Sequence, residues 1–166
     1  MALTLAATAC GDKKVDKPAV RKDGVVETKV PGEATLSLVG QKIRTKITGA
    51  SLRKKTSSAG QFTEAVKGHM FLTFKVEVAN VGSKETPLGG GYSLKLPDGK
   101  IVEYSGVADG EDVISFGDPL AAGEKKAGTL SWEVPTPKNG SRYIFIWKPN
   151  PSGKEQARFG YEHKGS

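Results

Sequence analysis

The feature that most constrains this chain is a twelve-residue run, 70–81. Met70, Leu72, Phe74, Val76 and Val78 alternate there with Phe71, Thr73, Lys75, Glu77 and Ala79. A period of two collects the first set on one face of an extended chain, whereas a helix would scatter it around the axis. The run therefore predicts a half-buried antiparallel strand. Asn80-Val81-Gly82-Ser83 closes it with turn chemistry.

The same signal recurs along the chain. Alternation predicts strands over 35–39, 43–47 and 129–134, with Leu130, Trp132 and Val134 on one side of the last. Strands over 92–96 and 101–104 flank Pro97-Asp98-Gly99-Lys100, a hairpin signal because Pro fixes φ and Gly supplies φ > 0. The run RYIFIW, 142–147, is apolar on both faces and reads as a covered, central strand. A shorter strand is expected over 113–116. About seven to eight strands separated by Gly, Pro, Asn and Asp predict an all-β sandwich with Greek-key connections. Residues 53–67 break the rhythm and read as a long inter-strand loop, with a single helical turn over 63–67. The chain after Trp147 reads as a partly disordered tail, to which 158–162 adds an edge strand.

The N-terminus has a different character. Residues 1–9, MALTLAATA, are small and apolar and precede the only cysteine, Cys10. Small residues immediately before a cysteine resemble a bacterial lipobox, in which the leader is cut and the sulfur receives diacylglycerol. Two features depart from that pattern: Ala7 stands where leucine is commoner, and no charged segment precedes the short apolar run. The run is far too short for a membrane-spanning helix. Residues 11–34 are charged, with Pro and Gly and few large apolar groups, a composition that reads as a tether. The expected organisation is a signal-peptide remnant over 1–9, a lipidated flexible linker over 10–34, a sandwich over 35–148 and a tail over 149–166.

One cysteine leaves no disulfide framework and no cysteine-cluster metal site. The net charge of +7 is dispersed, since residues 33–147 carry fifteen basic and twelve acidic side chains, or +3. One cluster stands out. Lys42, Arg44, Lys46, Arg53, Lys54 and Lys55 occur with no acid between Gly40 and Ser58. It is a candidate surface for an anionic polymer, phosphate headgroups or nucleic acid, or else a solvated strand face and loop. No aromatic residue interleaves it, so the stacking platform of a single-strand nucleic-acid binder is missing. No nucleic-acid partner is expected.

Candidate chemistry is sparse. Gly68-His69-Met70 offers soft-metal ligand types, but Met70 falls on the apolar alternation and few other His or Met residues exist to converge with it. Asp109-Gly110-Glu111-Asp112, with Asp118 nearby, is acidic but lacks calcium-loop spacing. Gly89-Gly90-Gly91 has no following Lys-Ser/Thr and reads as a turn. No G-x-S-x-G or paired S-x-x-K motif is present. Trp132, Tyr143, Phe145 and Trp147 read as core, with a sugar-binding surface as the alternative. No catalytic residue, metal site or cofactor is expected.

Three blocks carry a family resemblance. They are Val76-Glu77-Val78-Ala79-Asn80, then Tyr92 to Leu96 followed by Pro97-Asp98-Gly99-Lys100, then Leu120-Ala121-Ala122-Gly123-Glu124 continuing through Gly128, Leu130 and Trp132 to Val134-Pro135. In this order over 35–148 the chain resembles a bacterial immunoglobulin-like domain of unknown function found in secreted proteins and lipoproteins, related to an actinobacterial immunoprotective antigen. The resemblance implies an immunoglobulin-like antiparallel β-sandwich and carries no catalytic residue. The combined expectation is a monomeric, extracytoplasmic binding module anchored in the membrane through Cys10. Its partner would be an envelope protein or polymer, met by sheet edges or by the 53–67 segment. The alternatives are a small-ligand or metal carrier, an envelope enzyme and a structural subunit of a larger complex.

Overall fold

The computed structural model describes residues 24–38, 40–58, 61–87, 90–105, 118–150 and 152–165. The expected strand at 113–116, the acidic stretch 109–112 and Cys10 lie outside these residues. The strands in chain order are β1 (Val25–Lys29), β2 (Gly32–Leu38), β3 (Gln41–Arg53), β4 (Lys55–Ser58), β5 (Gln61–Glu64), β6 (His69–Asn80), β7 (Thr86–Pro87), β8 (Gly91–Lys95), β9 (Ile101–Glu103), β10 (Pro119–Leu120), β11 (Lys125–Pro135), β12 (Arg142–Lys148) and β13 (Gln156–Glu162).

Two sheets form the sandwich. One runs β11-β6-β3-β2 and the other β1-β13-β12-β8-β9. The chain is thus an all-β, immunoglobulin-like sandwich, antiparallel except for β1, which pairs with β13 in parallel. The period-two strand sits at the centre of its sheet, because β6 is paired along most of its length by β11 and by β3. Leu72, Phe74, Val76 and Val78 of β6 join the core, while Lys75 faces solvent. Met70, at the strand's end, is only half-buried. As its two apolar faces predict, β12 is covered on both edges, between β13 and β8.

The two sheets meet in an aromatic cluster around Phe145. Its ring lies 5.2 Å from Phe74, 5.6 Å from Tyr92, 5.6 Å from Trp132 and 5.8 Å from Phe159, mostly tilted or edge-on. Such pairs add to the area term because ring edges meet ring faces. Trp132, Tyr143, Phe145 and Trp147 are all buried. They are core, and the alternative of a sugar-binding aromatic surface is set aside.

Three expectations need correction. Residues 53–67 are not a long loop. β3 runs to Arg53, β4 and β5 form a two-stranded ribbon, and 63–64 are strand rather than helical turn. The sandwich also starts earlier than residue 35, since Val25 and Val26 of β1 are buried against β13. The C-terminal stretch is no loose end. β13 is an interior strand between β1 and β12, and its Ala157 and Phe159 are fully buried. All three concern short strands whose alternation is diluted by charge or polarity, where pairing rather than local pattern decides the conformation.

The topology fixes two ends. Val25, Leu38, Asn80, Lys125 and Trp147 share one end, where Glu155 accepts a hydrogen bond from the Ser37 amide (3.0 Å). Arg53, His69, Pro135 and the start of β12 share the opposite end, with the ribbon. The described chain therefore enters the sandwich at the end away from β4 and β5.

Candidate functional site

The six basic residues of the 42–55 cluster separate into two groups. Lys42, Arg44 and Lys46 alternate along β3 with Ile43, Thr45 and Ile47, which are wholly buried. The three cations therefore stand on the outer face of their sheet. Acids interdigitate with them. Lys46 is flanked in register by Glu33 of β2 and Glu77 of β6, and Arg44 Nη2 lies 4.0 Å from Glu77 Oε1. This half reads as a solvated face of mixed charge, whose pairs contribute little.

Arg53, Lys54 and Lys55 stand at the far end of β3, roughly 23 Å from Lys46 at ~3.3 Å per residue. They mark the base of the ribbon. Lys55 pairs with Glu64 across it, Nζ to Oε1 2.9 Å, and Thr56, Ser57 and Ser58 pair with Thr63, Phe62 and Gln61. These pairs are symmetric about the midpoint of the segment. That symmetry, with opposite charges at Lys55 and Glu64, is the signal that reveals a hairpin in a stretch too polar to show alternation.

The ribbon is fixed at its root. The Ala65 amide donates to the Lys54 carbonyl (2.9 Å), and the Val66 amide donates to Oε1 of Glu133 on β11 (2.6 Å). Gly68, at φ +84°, turns the chain back into β6, and its carbonyl accepts the Thr136 amide (2.8 Å). Beneath this root lies a small second core. Phe71 and Thr73 point away from the main core, by the alternation of β6, yet are 1% and 2% exposed. Thr73 shares a 2.7 Å hydrogen bond with Ser131 of β11. β4 packs against β6, and its Thr56 is buried as well.

Beyond the root the ribbon is open to solvent. All four residues of β5 are exposed. Phe62 is 79% exposed, the one exposed aromatic ring among the described residues, and Val66 is 59% exposed. Lys54 and Lys67 are exposed beside them. The ribbon thus leaves one aromatic ring in water with cations near its base.

Two open clefts of about 500 and 740 Å³ lie side by side on the second sheet, sharing Arg142 and Ile144. Their carboxylates are engaged structurally. Asp98 accepts the Lys100 amide within its turn (2.9 Å), and Glu162 accepts Arg142 Nε (2.9 Å). Among the described residues no group of three or more His, Cys, Asp or Glu side chains is placed to hold a metal ion. Asp118 is drawn to Lys126 (3.6 Å). His69 is half-buried on β6 next to Met70, with the two side chains on opposite faces.

The family described as "Domain of unknown function (DUF4352)" matches residues 39–158. Three solved structures share the fold. A conserved hypothetical protein from Bacillus anthracis superposes with a TM-score of 0.54 at 17% identity, covering 75% of this chain and 96% of that one. An uncharacterized β-sandwich protein from Clostridium difficile 630 gives 0.54 at 11% identity, covering 81% and 93%. The secreted protein MPT63 from Mycobacterium tuberculosis gives 0.53 at 19% identity, covering 82% and 96%. No curated protein matches the chain in sequence.

Proposed function

We propose, for a chain that belongs to the DUF4352 family, the role of an extracytoplasmic interaction module without catalytic activity. It is held at the membrane by a lipid on Cys10 and contacts a protein or polymer of the cell envelope through the β4–β5 ribbon. The observation that carries this reading is Phe62, an exposed ring on a sandwich whose other described aromatic residues are buried or half-buried. Burying a Phe side chain is worth ~1.5–3 kcal/mol, so a ring left in water at a fixed position favours a partner that covers it.

The location rests on the sequence. A single cysteine preceded by small residues and followed by a polar stretch fits a lipidated N-terminus, and acyl chains supply anchoring that a short polar leader lacks. The described chain enters at the end opposite the ribbon, which leaves the ribbon clear of the tether's attachment point.

Two measurements test the parts separately. In a bacterium expressing the full-length gene, Cys10→Ser abolishes acyl labelling and membrane partition; unchanged partition refutes the anchor. In crosslinking within the native envelope, the wild-type chain captures a defined component that the folded Phe62→Ser chain does not. Identical capture by both removes the ribbon as the contact surface.

A further inference from the structure

The ribbon's layered chemistry identifies one partner class more closely. No charged residue occurs between Lys55 and Glu64, in a chain where 26% of residues are charged. Phe62 stands within that uncharged stretch. Behind it, four cations (Arg53, Lys54, Lys55, Lys67) stand with two acids, Glu64 and Glu133, for a local charge of +2. The spacing is set by the register. Phe62 pairs with Ser57, two residues beyond the Lys55–Glu64 pair, so the ring sits about 7 Å ahead of the first cations at ~3.4 Å per residue.

We propose that the ribbon docks on an anionic phospholipid surface, with Phe62 entering the headgroup–acyl boundary and the cations at its base meeting lipid phosphates. This rests on the reading of the ribbon as the contact surface and puts a lipid surface in place of the protein or polymer partner. Apolar faces of interfacial segments settle ~5–10 Å into the boundary, which matches the distance between the ring and its cations. Basic side chains near an anionic leaflet are attracted to it, and long Lys stems let the ammonium groups stay at phosphate level while the backbone approaches. An acidic protein would also cover the ring and meet the same cations; the lipid surface is favoured by the match between the ring's lead over the cations and the depth of the boundary. The anchor permits the geometry. Cys10 and Val25 are fifteen residues apart, a reach of up to about 50 Å, and β3, with 13 residues, is roughly 43 Å long. The tether's reach is thus comparable to the length of the sandwich, which lets the module tilt its ribbon end toward the membrane that holds its lipid.

The test uses the full chain carrying Cys10→Ser, so that no acyl group contributes. Vesicles are made of phosphatidylcholine alone, or of equal parts phosphatidylcholine and phosphatidylglycerol. Partition is expected on the mixed vesicles and at least tenfold less on the neutral ones. Raising salt from ~0.1 to ~1 M, which shortens the screening length from ~10 to ~3 Å, lowers it about tenfold. Phe62→Ser lowers it about tenfold at the lower salt, while circular dichroism stays unchanged. A Phe62→Trp chain is expected to be quenched by bromine placed on the acyl chains. Absence of partition on mixed vesicles by the folded protein overturns the proposal, as does partition indifferent to both Phe62→Ser and salt. If vesicles are not bound but Phe62→Ser still loses its envelope component, the lipid partner is refuted and the contact-surface reading stands. If neither vesicles nor an envelope component is bound, both fall.

Discussion

The side-chain amide of Asn80 donates to the carbonyl of Leu120 across 2.9 Å, joining the end of β6 to β10 on a segment forty residues away. The same Nδ2 donates to the Lys84 carbonyl (2.8 Å), and Oδ1 accepts the Gly82 amide (2.9 Å). The Asn80 backbone also exchanges bonds with Glu124 and Gly123. Asn80 is fully buried, so removing the side chain leaves polar groups unpaired where water is scarce. Asn80→Ala is expected to cost about 2–4 kcal/mol in urea unfolding. Asn80→Asp is expected to be worse, because it turns a carboxylate toward two carbonyl oxygens. Equal stability of the Asp and wild-type chains would refute this account.

Phe145 is the ring through which the two sheets are coupled, touching Phe74 and Trp132 on one sheet and Tyr92 and Phe159 on its own. Phe145→Ala removes all four contacts and opens a cavity between rings that cannot close over it. A loss of about 3–5 kcal/mol is expected. Phe145→Leu, which keeps most of the volume, is expected to lose clearly less. Parallel unfolding curves of the two variants decide the point.

Much of this architecture is legible in the sequence, for a physical reason. β6, β11 and β12 are long strands with one or two buried faces, so their burial is written as alternation or as a continuous apolar run. The Asn80 and Asp98-Gly99 motifs are legible as turns, and each has a bond to account for it. Glu124 accepts the Ala121 amide (2.7 Å) around Gly123 at φ +79°, as Asp98 does for Lys100. What local pattern concealed was long-range pairing. β1 and β13 earn their place by lying parallel to each other, a relation between residues 25–29 and 156–160 that no local pattern encodes. The basic cluster divides in two because closeness in sequence along one strand is not closeness in space: Lys46 and Arg53, seven residues apart on β3, stand roughly 23 Å apart at ~3.3 Å per residue.

Alkaline pH should unfold the sandwich through its tyrosines. Burial raises the phenol of Tyr92 well above its ordinary value, and burial raises Tyr104, Tyr143 and Tyr161 as well, with the Tyr161 phenolate adding to the rise at Tyr143. A raised acid holds its proton in the folded chain after the unfolded chain has lost its own. Stability is thus full below about pH 10, the ordinary tyrosine value, and falls as pH rises beyond it. Denaturant midpoints measured upward from pH 9 are expected to decline steeply above 10. Tyr92→Phe should flatten that decline, and an unchanged slope would count against Tyr92 as its main source.

The root of the ribbon offers a local test. The Val66 amide has its acceptor in Glu133 Oε1, 2.6 Å away on β11, and this charge-assisted bond ties the segment between β5 and β6 to the sheet. Glu133→Ala removes the acceptor without entering the main core, since Glu133 faces solvent on β11. Amide exchange at Val66 should accelerate about tenfold. Exchange at Leu72 and Phe145, in the core, should stay unchanged. Glu133→Gln keeps an acceptor oxygen of lower charge and should give an intermediate rate. Acceleration spread equally over ribbon and core would mean that Glu133 supports the whole sandwich rather than the ribbon's root.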